Sequence, residues 1–123
     1  MLNVVDSSGW LEYFADGPHA GFFAPAVEDT DHLILPALCL FEVFKRILQQ
    51  RTENEALRAA AYMQQGTVAP LDAPLALHAA KISVDLKLPL ADSIIFATAQ
   101  AHDAVFWTHD AHFKGMKGVK FPQ

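Results

Sequence analysis

One cysteine in 123 residues, Cys39, leaves no intramolecular disulfide to form, so any stability comes from an ordinary hydrophobic core. The same scarcity suits a reducing cytoplasm, and an apolar helix around Cys39 makes it a small core residue. No apolar run is long enough to cross a bilayer, and no basic stretch followed by an apolar one opens the chain, so neither a membrane span nor an export signal is expected. There is no internal repeat, no low-complexity tract, no glycine-rich phosphate loop and no zinc-type cysteine pair. Basic residues are also missing from a third of the sequence. Residues 1–44 hold no Lys or Arg and seven acids, whereas nine bases and seven acids follow. A net charge of −5 gives no support to a broad basic face for nucleic acid, although Lys45, Arg46, Arg51 and Arg58, or Lys114, Lys117 and Lys120, could form local positive patches.

What is present is a hydrophobic content of 52% with 19% charged residues, enough to bury one core in one domain spanning residues 1–123. Val4-Val5 reads as a buried strand. Ser7 to Ala15 reads as a helix with Trp10, Leu11 and Phe14 on one face, broken at Gly17-Pro18. A second helix from about Pro18 carries Phe22, Phe23 and Val27. His32 to Leu35 is a strand closed by Pro36, and helices follow over 37–51 and 53–65, the latter stopped by Gly66. Thr67 to Leu71 is a short strand, and 74–87 a helix with Leu77, Ala80 and Val84 facing inward. Another helix covers 90–102, Val105 to Trp107 a strand, and Val119 to Phe121 an edge strand. Strands alternating with helices, without hairpin signals, predict an α/β domain of three layers around a parallel sheet of four to five strands. In such sheets ligands bind beyond the carboxyl ends of the strands.

Four acids fall at informative places: Asp6 after the first strand, Glu42 in a helix beside Leu38 and Phe41, Asp92 opening a helix, and Asp110 after the strand ending at Trp107. Each has an ordinary explanation. Asp6 and Asp92 suit helix capping, Glu42 an ion pair with Lys45 or Arg46, and Asp110 a turn. Phase argues for more in two cases, because Asp92 shares a stripe with Ile95, Phe96 and Ala99, and Glu42 borders an apolar face. Convergence at one end of a parallel sheet would make the carboxylates repel one another and call for a cation, and oxygen ligands suit Mg²⁺ or Mn²⁺. His109 and His112 flank Asp110, which alone is weak evidence for zinc or a general base. His19, His32, His78 and His102 have no partner at ligand spacing.

Val4-Val5-Asp6-Ser7-Ser8, Phe41-Glu42-Val43, Leu88-Pro89-Leu90-Ala91-Asp92-Ser93 and Thr108-His109-Asp110-Ala111-His112-Phe113, in this order over nearly the whole chain, resemble the PIN domain. They are most similar to the small VapC-type toxin ribonucleases of toxin-antitoxin pairs. The resemblance implies that Asp6, Glu42, Asp92 and Asp110 hold Mg²⁺ or Mn²⁺, and that metal-activated water cleaves an RNA phosphodiester. It implies that the hydroxyls of Ser8 and Thr108 orient carboxylates, that the protein is a homodimer, and that a cognate antitoxin lays a helix in a groove. Trp10, Leu11, Phe14, Phe22 and Phe23 would suit that groove. Two other functions compete: a phosphorelay receiver domain, with Asp72 as a tempting phosphoacceptor, and a PIN-like binding module without catalysis. The receiver reading lacks paired acids after the first strand and a lysine closing a late one.

Overall fold

A computed structural model describes all residues, 1–123. Five short strands alternate with helices. The first strand, β1 (Asn3–Val5), leads into α1 (Ser7–Phe14) and α2 (Ala20–Val27), and β2 (Ile34–Pro36) into α3 (Ala37–Gln50) and α4 (Glu53–Met63). Then β3 (Thr67–Ala69) leads into α5 (Ala73–Leu86) and α6 (Leu90–Ala101), and β4 (Val105–Trp107) and β5 (Val119–Lys120) end the chain. Every strand pairing is parallel: β2 with β3, β1 with β4, and β4 with β5. A parallel bridge between Asn3 and Leu33 joins the two groups, giving the spatial order β3-β2-β1-β4-β5. All strands therefore end at the same edge of the sheet. The helices pack in pairs, α1 on α2, α3 on α4 and α5 on α6, and layer around the sheet.

The strands are short; the central ones, β1, β2 and most of β4, are buried, as expected of a parallel sheet covered on both faces, while the edge strands β3 and β5 are largely exposed. Val4, Val5, Leu35 and Phe106 are buried in one continuous core with Phe23, Val43, Ile95 and Phe113. Gly9 is required where α1 meets α2, because a Cβ there would stand 2.6 Å from the Phe23 ring. Thr52 caps α4 by accepting from the Glu55 amide at 3.2 Å, and Asp72 caps α5 by accepting from the Leu75 amide at 3.0 Å. Asp72 is thus a helix cap rather than a phosphoacceptor.

Two sequence expectations are corrected. The second helix starts at Ala20 rather than near Pro18. In α5 the inward stripe is Leu75, Ala79 and Ile82; Leu77 and Val84 are 74% and 77% exposed, and Ala80 is exposed too. Both stripes are apolar at helical spacing, so periodicity alone had no means of choosing between them. The outer one leaves an apolar surface on the finished fold.

Candidate active site

Asp6 continues the β1 ladder by donating its amide N–H to the Trp107 carbonyl at 3.0 Å, then opens α1 as its capping residue. Its side chain makes no capping hydrogen bond to the helix. The carboxylate instead accepts on Oδ2 from Thr108 Oγ1 at 2.9 Å and from Ser8 Oγ at 3.3 Å. Only 5% of Asp6 is exposed. Burial is the main reason its pKa rises to about 6, helped by the charges of Asp92 and Asp110 and opposed by the Thr108 hydroxyl.

Thr108, fully buried at the end of β4, ties two acids together. It donates to Asp6 and accepts from the Asp110 amide at 3.0 Å, so one hydroxyl fixes both strand ends. Asp110 then caps the short 3₁₀ helix Ala111–Phe113 by accepting from the His112 amide at 3.0 Å, and Nδ1 of His112 lies 2.9 Å from the same oxygen. The turn role expected for Asp110 is therefore real, but it occupies one carboxylate oxygen and leaves capacity on the other.

Asp92 reaches the cluster from the first turn of α6. Lys87, with φ of 55°, closes α5 in the left-handed region, and Leu88 donates back to the Ser83 carbonyl, so the chain reverses sharply. Pro89 then starts α6, which lays Ile95, Phe96 and Ala99 in the core and leaves Asp92 half-buried at the rim of the same stripe. Burial and the nearby Asp110 charge raise the Asp92 pKa, and His112 pulls it back. Ligand-capable atoms of Asp92, Asp110 and His112 lie within 4.8 Å of one another.

Glu42 comes from α3. It pairs with neither Lys45 nor Arg46; its Oε1 accepts from Ser7 Oγ at 2.7 Å, and Lys45 lies over the Phe41 ring. The structure thus gathers all four acids at the carboxyl edge of the sheet, with the Glu42 charge felt at Asp92. Ser7 is the residue the sequence reading missed. A hydroxyl following a strand-end acid was the available signal, but either of two consecutive serines fitted it.

No lysine or arginine forms an ion pair with any of these carboxylates. Two of them have raised pKa values, and hydroxyl donors already aim Asp6 and Glu42. Crowded, oriented oxygen donors with only His112 beside them fit a hard divalent cation of the Mg²⁺ or Mn²⁺ kind.

The expected groove is partly corrected. Trp10 and Phe23 have no exposed surface and belong to the core, and Phe22 packs on Phe23 and Trp107. Leu11 and Phe14 do face an open cleft of about 500 Å³, joined by Ile47, Arg46 and Arg51 of α3 and its end. Ser8, hydrogen-bonded to Asp6, lines the same cleft, so the cleft and the acidic cluster are neighbours. The histidine reading is corrected as well: His19 is not alone, because its Nδ1 lies 3.1 Å from Nδ1 of His109.

A PIN domain family model matches residues 4–119, essentially the whole fold and all four acids. The chain belongs to the PIN domain family. Solved structures that resemble it include a toxin-antitoxin complex from Klebsiella pneumoniae, at 21% identity over 98% of both chains with a TM-score of 0.82. VapBC2 from Rickettsia felis bound to promoter DNA aligns over 99% of this chain and 98% of the other, at 11% identity and a TM-score of 0.76. VapC20 of Mycobacterium tuberculosis, described as a toxin cleaving the sarcin-ricin loop, covers 94% and 95% at 18% identity and a TM-score of 0.74. At these identities the likeness is one of PIN fold. No curated protein sequence matches the chain. No helix of this PIN domain is long and apolar enough to cross a membrane.

Proposed function

We propose that this PIN domain is a Mg²⁺- or Mn²⁺-dependent endoribonuclease and the toxin of a toxin-antitoxin pair. The observation that carries the proposal is the convergence of Asp6, Glu42, Asp92 and Asp110 with no lysine or arginine partner, two of them with raised pKa values. Such a cluster is a poor stability device, because ionised carboxylates held together without a partner destabilise the fold that holds them. Asp6, Asp92, Asp110 and Glu42 would hold the cation. When bound, it supplies the positive charge that lowers the pKa of water and steadies the leaving oxygen of a phosphodiester. Thr108 and Ser8 orient Asp6, and Ser7 orients Glu42, so three hydroxyls limit the freedom of two carboxylates before any substrate arrives. Arg46 and Arg51, across the adjoining cleft, suit the phosphates of an RNA strand.

The same cleft suits the antitoxin. Leu11, Phe14 and Ile47 offer an apolar floor beside a basic rim, the surface that an amphipathic helix with acidic flanks would cover. A toxin-antitoxin complex among the structures sharing this fold supports that partner. The outer stripe of α5, with Leu77, Val84 and neighbouring Leu90 each about three-quarters exposed, is assigned to a second copy in a homodimer. Purified protein incubated with RNA is the direct test: cleavage should require Mg²⁺ or Mn²⁺ and disappear in Asp92→Asn. Full activity in excess chelator refutes the proposal.

A further inference from the structure

Beside the acidic cluster, three further side chains, Glu12, His19 and His109, meet where the α1–α2 turn approaches the loop after β4. Nδ1 atoms of His19 and His109 stand 3.1 Å apart, and a carboxylate oxygen of Glu12 joins them, all three ligand atoms lying within 4.8 Å of one another. They come from α1, from the residue opening α2, and from the loop after β4, which is 90 residues away from His19. We propose that Glu12, His19 and His109 form a second cation site, selective for a borderline transition ion such as Zn²⁺ over Mg²⁺.

Donor chemistry is the first reason. Two imidazole nitrogens and one carboxylate oxygen make a set that prefers Zn²⁺, Co²⁺ or Ni²⁺, whereas the neighbouring cluster, four carboxylates with His112 at its edge, is richer in the oxygen donors that hard ions prefer. Geometry is the second. Ligands about 2.0–2.1 Å from a tetrahedral ion lie roughly 3.3 Å from each other, close to the existing separation of the two nitrogens. Little movement is needed to admit an ion between them.

Preorganisation is the third. The His19 amide donates to Glu12 Oε2 at 2.7 Å, so the carboxylate is already turned toward the histidine that would share its ion. The carboxylate occupies the space where a side chain at position 17 would begin, and only the glycine present there leaves that room. Phe23, fully buried in the core, sets its ring edge to face at 88° against His109 with centroids 5.3 Å apart. All three candidate ligands are half-buried, and Glu12 and His109 open onto the cleft of about 500 Å³, which gives an ion its entry and a free coordination position. The His-His contact and the amide bond to Glu12 are separate interactions, yet together they bring two imidazole nitrogens and a carboxylate oxygen within 4.8 Å of one another.

An occupied site would clamp the α1–α2 turn to the loop that carries Thr108 and Asp110. The measurement is made on the full, tag-free chain bearing Asp6→Asn and Asp92→Asn, which cripples the acidic cluster. Co²⁺ titrated into this protein should give visible d–d absorption at one equivalent, displaced by Zn²⁺ and not by Mg²⁺, and Zn²⁺ should raise its melting temperature. Adding His19→Ala or Glu12→Gln should weaken Co²⁺ binding at least tenfold. X-ray absorption of the Zn²⁺-loaded chain with all its native residues provides a check that needs no variant and should show two imidazoles on the ion. Unchanged binding in His19→Ala, or an oxygen-only shell in the absorption spectrum, overturns the proposal. The result is independent of RNA cleavage, so the two claims stand or fall separately.

Discussion

Replacing Asp6 by asparagine should make the metal-free protein more stable at pH 7.5 while abolishing cleavage. Burial, aided by Asp92 and Asp110, lifts the Asp6 carboxyl from 3.8 to about 6. At about 1.4 kcal/mol per pH unit, keeping it ionised in the fold costs about 3 kcal/mol at neutral pH. Asparagine removes the charge and keeps an acceptor for Thr108, but its amide gains two N–H groups in a buried place and loses charge-assisted bonds. A net gain of about 1–2 kcal/mol remains, or roughly 4–8 °C in melting temperature for a domain of this size. The helix cap is not at stake, because the Asp6 side chain makes no capping bond. The pH dependence has a definite sign. A carboxyl with a raised folded pKa destabilises fully above that value, less as pH falls, and not at all below its unfolded value of 3.8. The ionisation cost is complete above about pH 6, about half as large near pH 5 and gone near pH 4, so the advantage of Asp6→Asn should be lost near pH 5 and reversed near pH 4, where only the cost of the buried amide remains. Thermal melts in excess chelator at these pH values decide the matter. An Asp6→Asn protein that melts below its parent at pH 7.5, or a difference that ignores pH, refutes the argument.

Asp92→Asn should abolish RNA cleavage and, in chelator, melt no lower than the parent, since only half-buried like charge is removed; a large drop in melting temperature would mean the carboxylate stabilises the start of α6. Ser7→Ala should weaken Mn²⁺ binding by about 10–100-fold, read by calorimetry, because Glu42 loses the hydroxyl 2.7 Å away that orients it. Thr108→Val, nearly isosteric, should destabilise the fold by about 1–3 kcal/mol in urea unfolding, since the Asp110 amide loses its acceptor and Asp6 loses its closest donor. If the outer stripe of α5 is the proposed dimer contact, light scattering should find a dimer that Val84→Glu converts to a folded monomer, because that side chain is 77% exposed in the single chain; a parent that is already monomeric refutes the assignment.

Much of the fold was legible because strand and helix periods differ and because proline and glycine punctuate the chain. Every strand and helix expected from pattern is present, and the all-parallel pairing follows from the lack of hairpin turns. Legibility failed where two faces of one helix are equally apolar. In α5 nothing in the spacing separates Leu75, Ala79 and Ile82 from Leu77, Ala80 and Val84, and only the tertiary fold assigns one set to the core. The groove shows the converse failure. Trp10, Leu11 and Phe14 share a face at helical spacing, yet Trp10 is sealed beneath α1 while the other two reach its edge.

The candidate site was legible at the level of residue types and order, and illegible at the level of partners. Asp6, Glu42, Asp92 and Asp110 stand out by position, but the hydroxyls holding them do not, because a serine after a strand-end acid reads equally well as a helix start. Ser8 bonds Asp6 at 3.3 Å, and Ser7 serves Glu42, 35 residues away. The same long-range logic hid His19. Its partner His109 lies 90 residues away, and no local spacing rule reaches that far. One loop residue pair then explains the layout of this edge of the sheet. Thr108 points inward and locks Asp6 to the Asp110 backbone, while His109 points to the other flank and meets His19. Alternation along an extended segment sends successive side chains to opposite sides. The three residues after β4 thus serve two clusters, Thr108 and Asp110 the acids and His109 the group with Glu12 and His19.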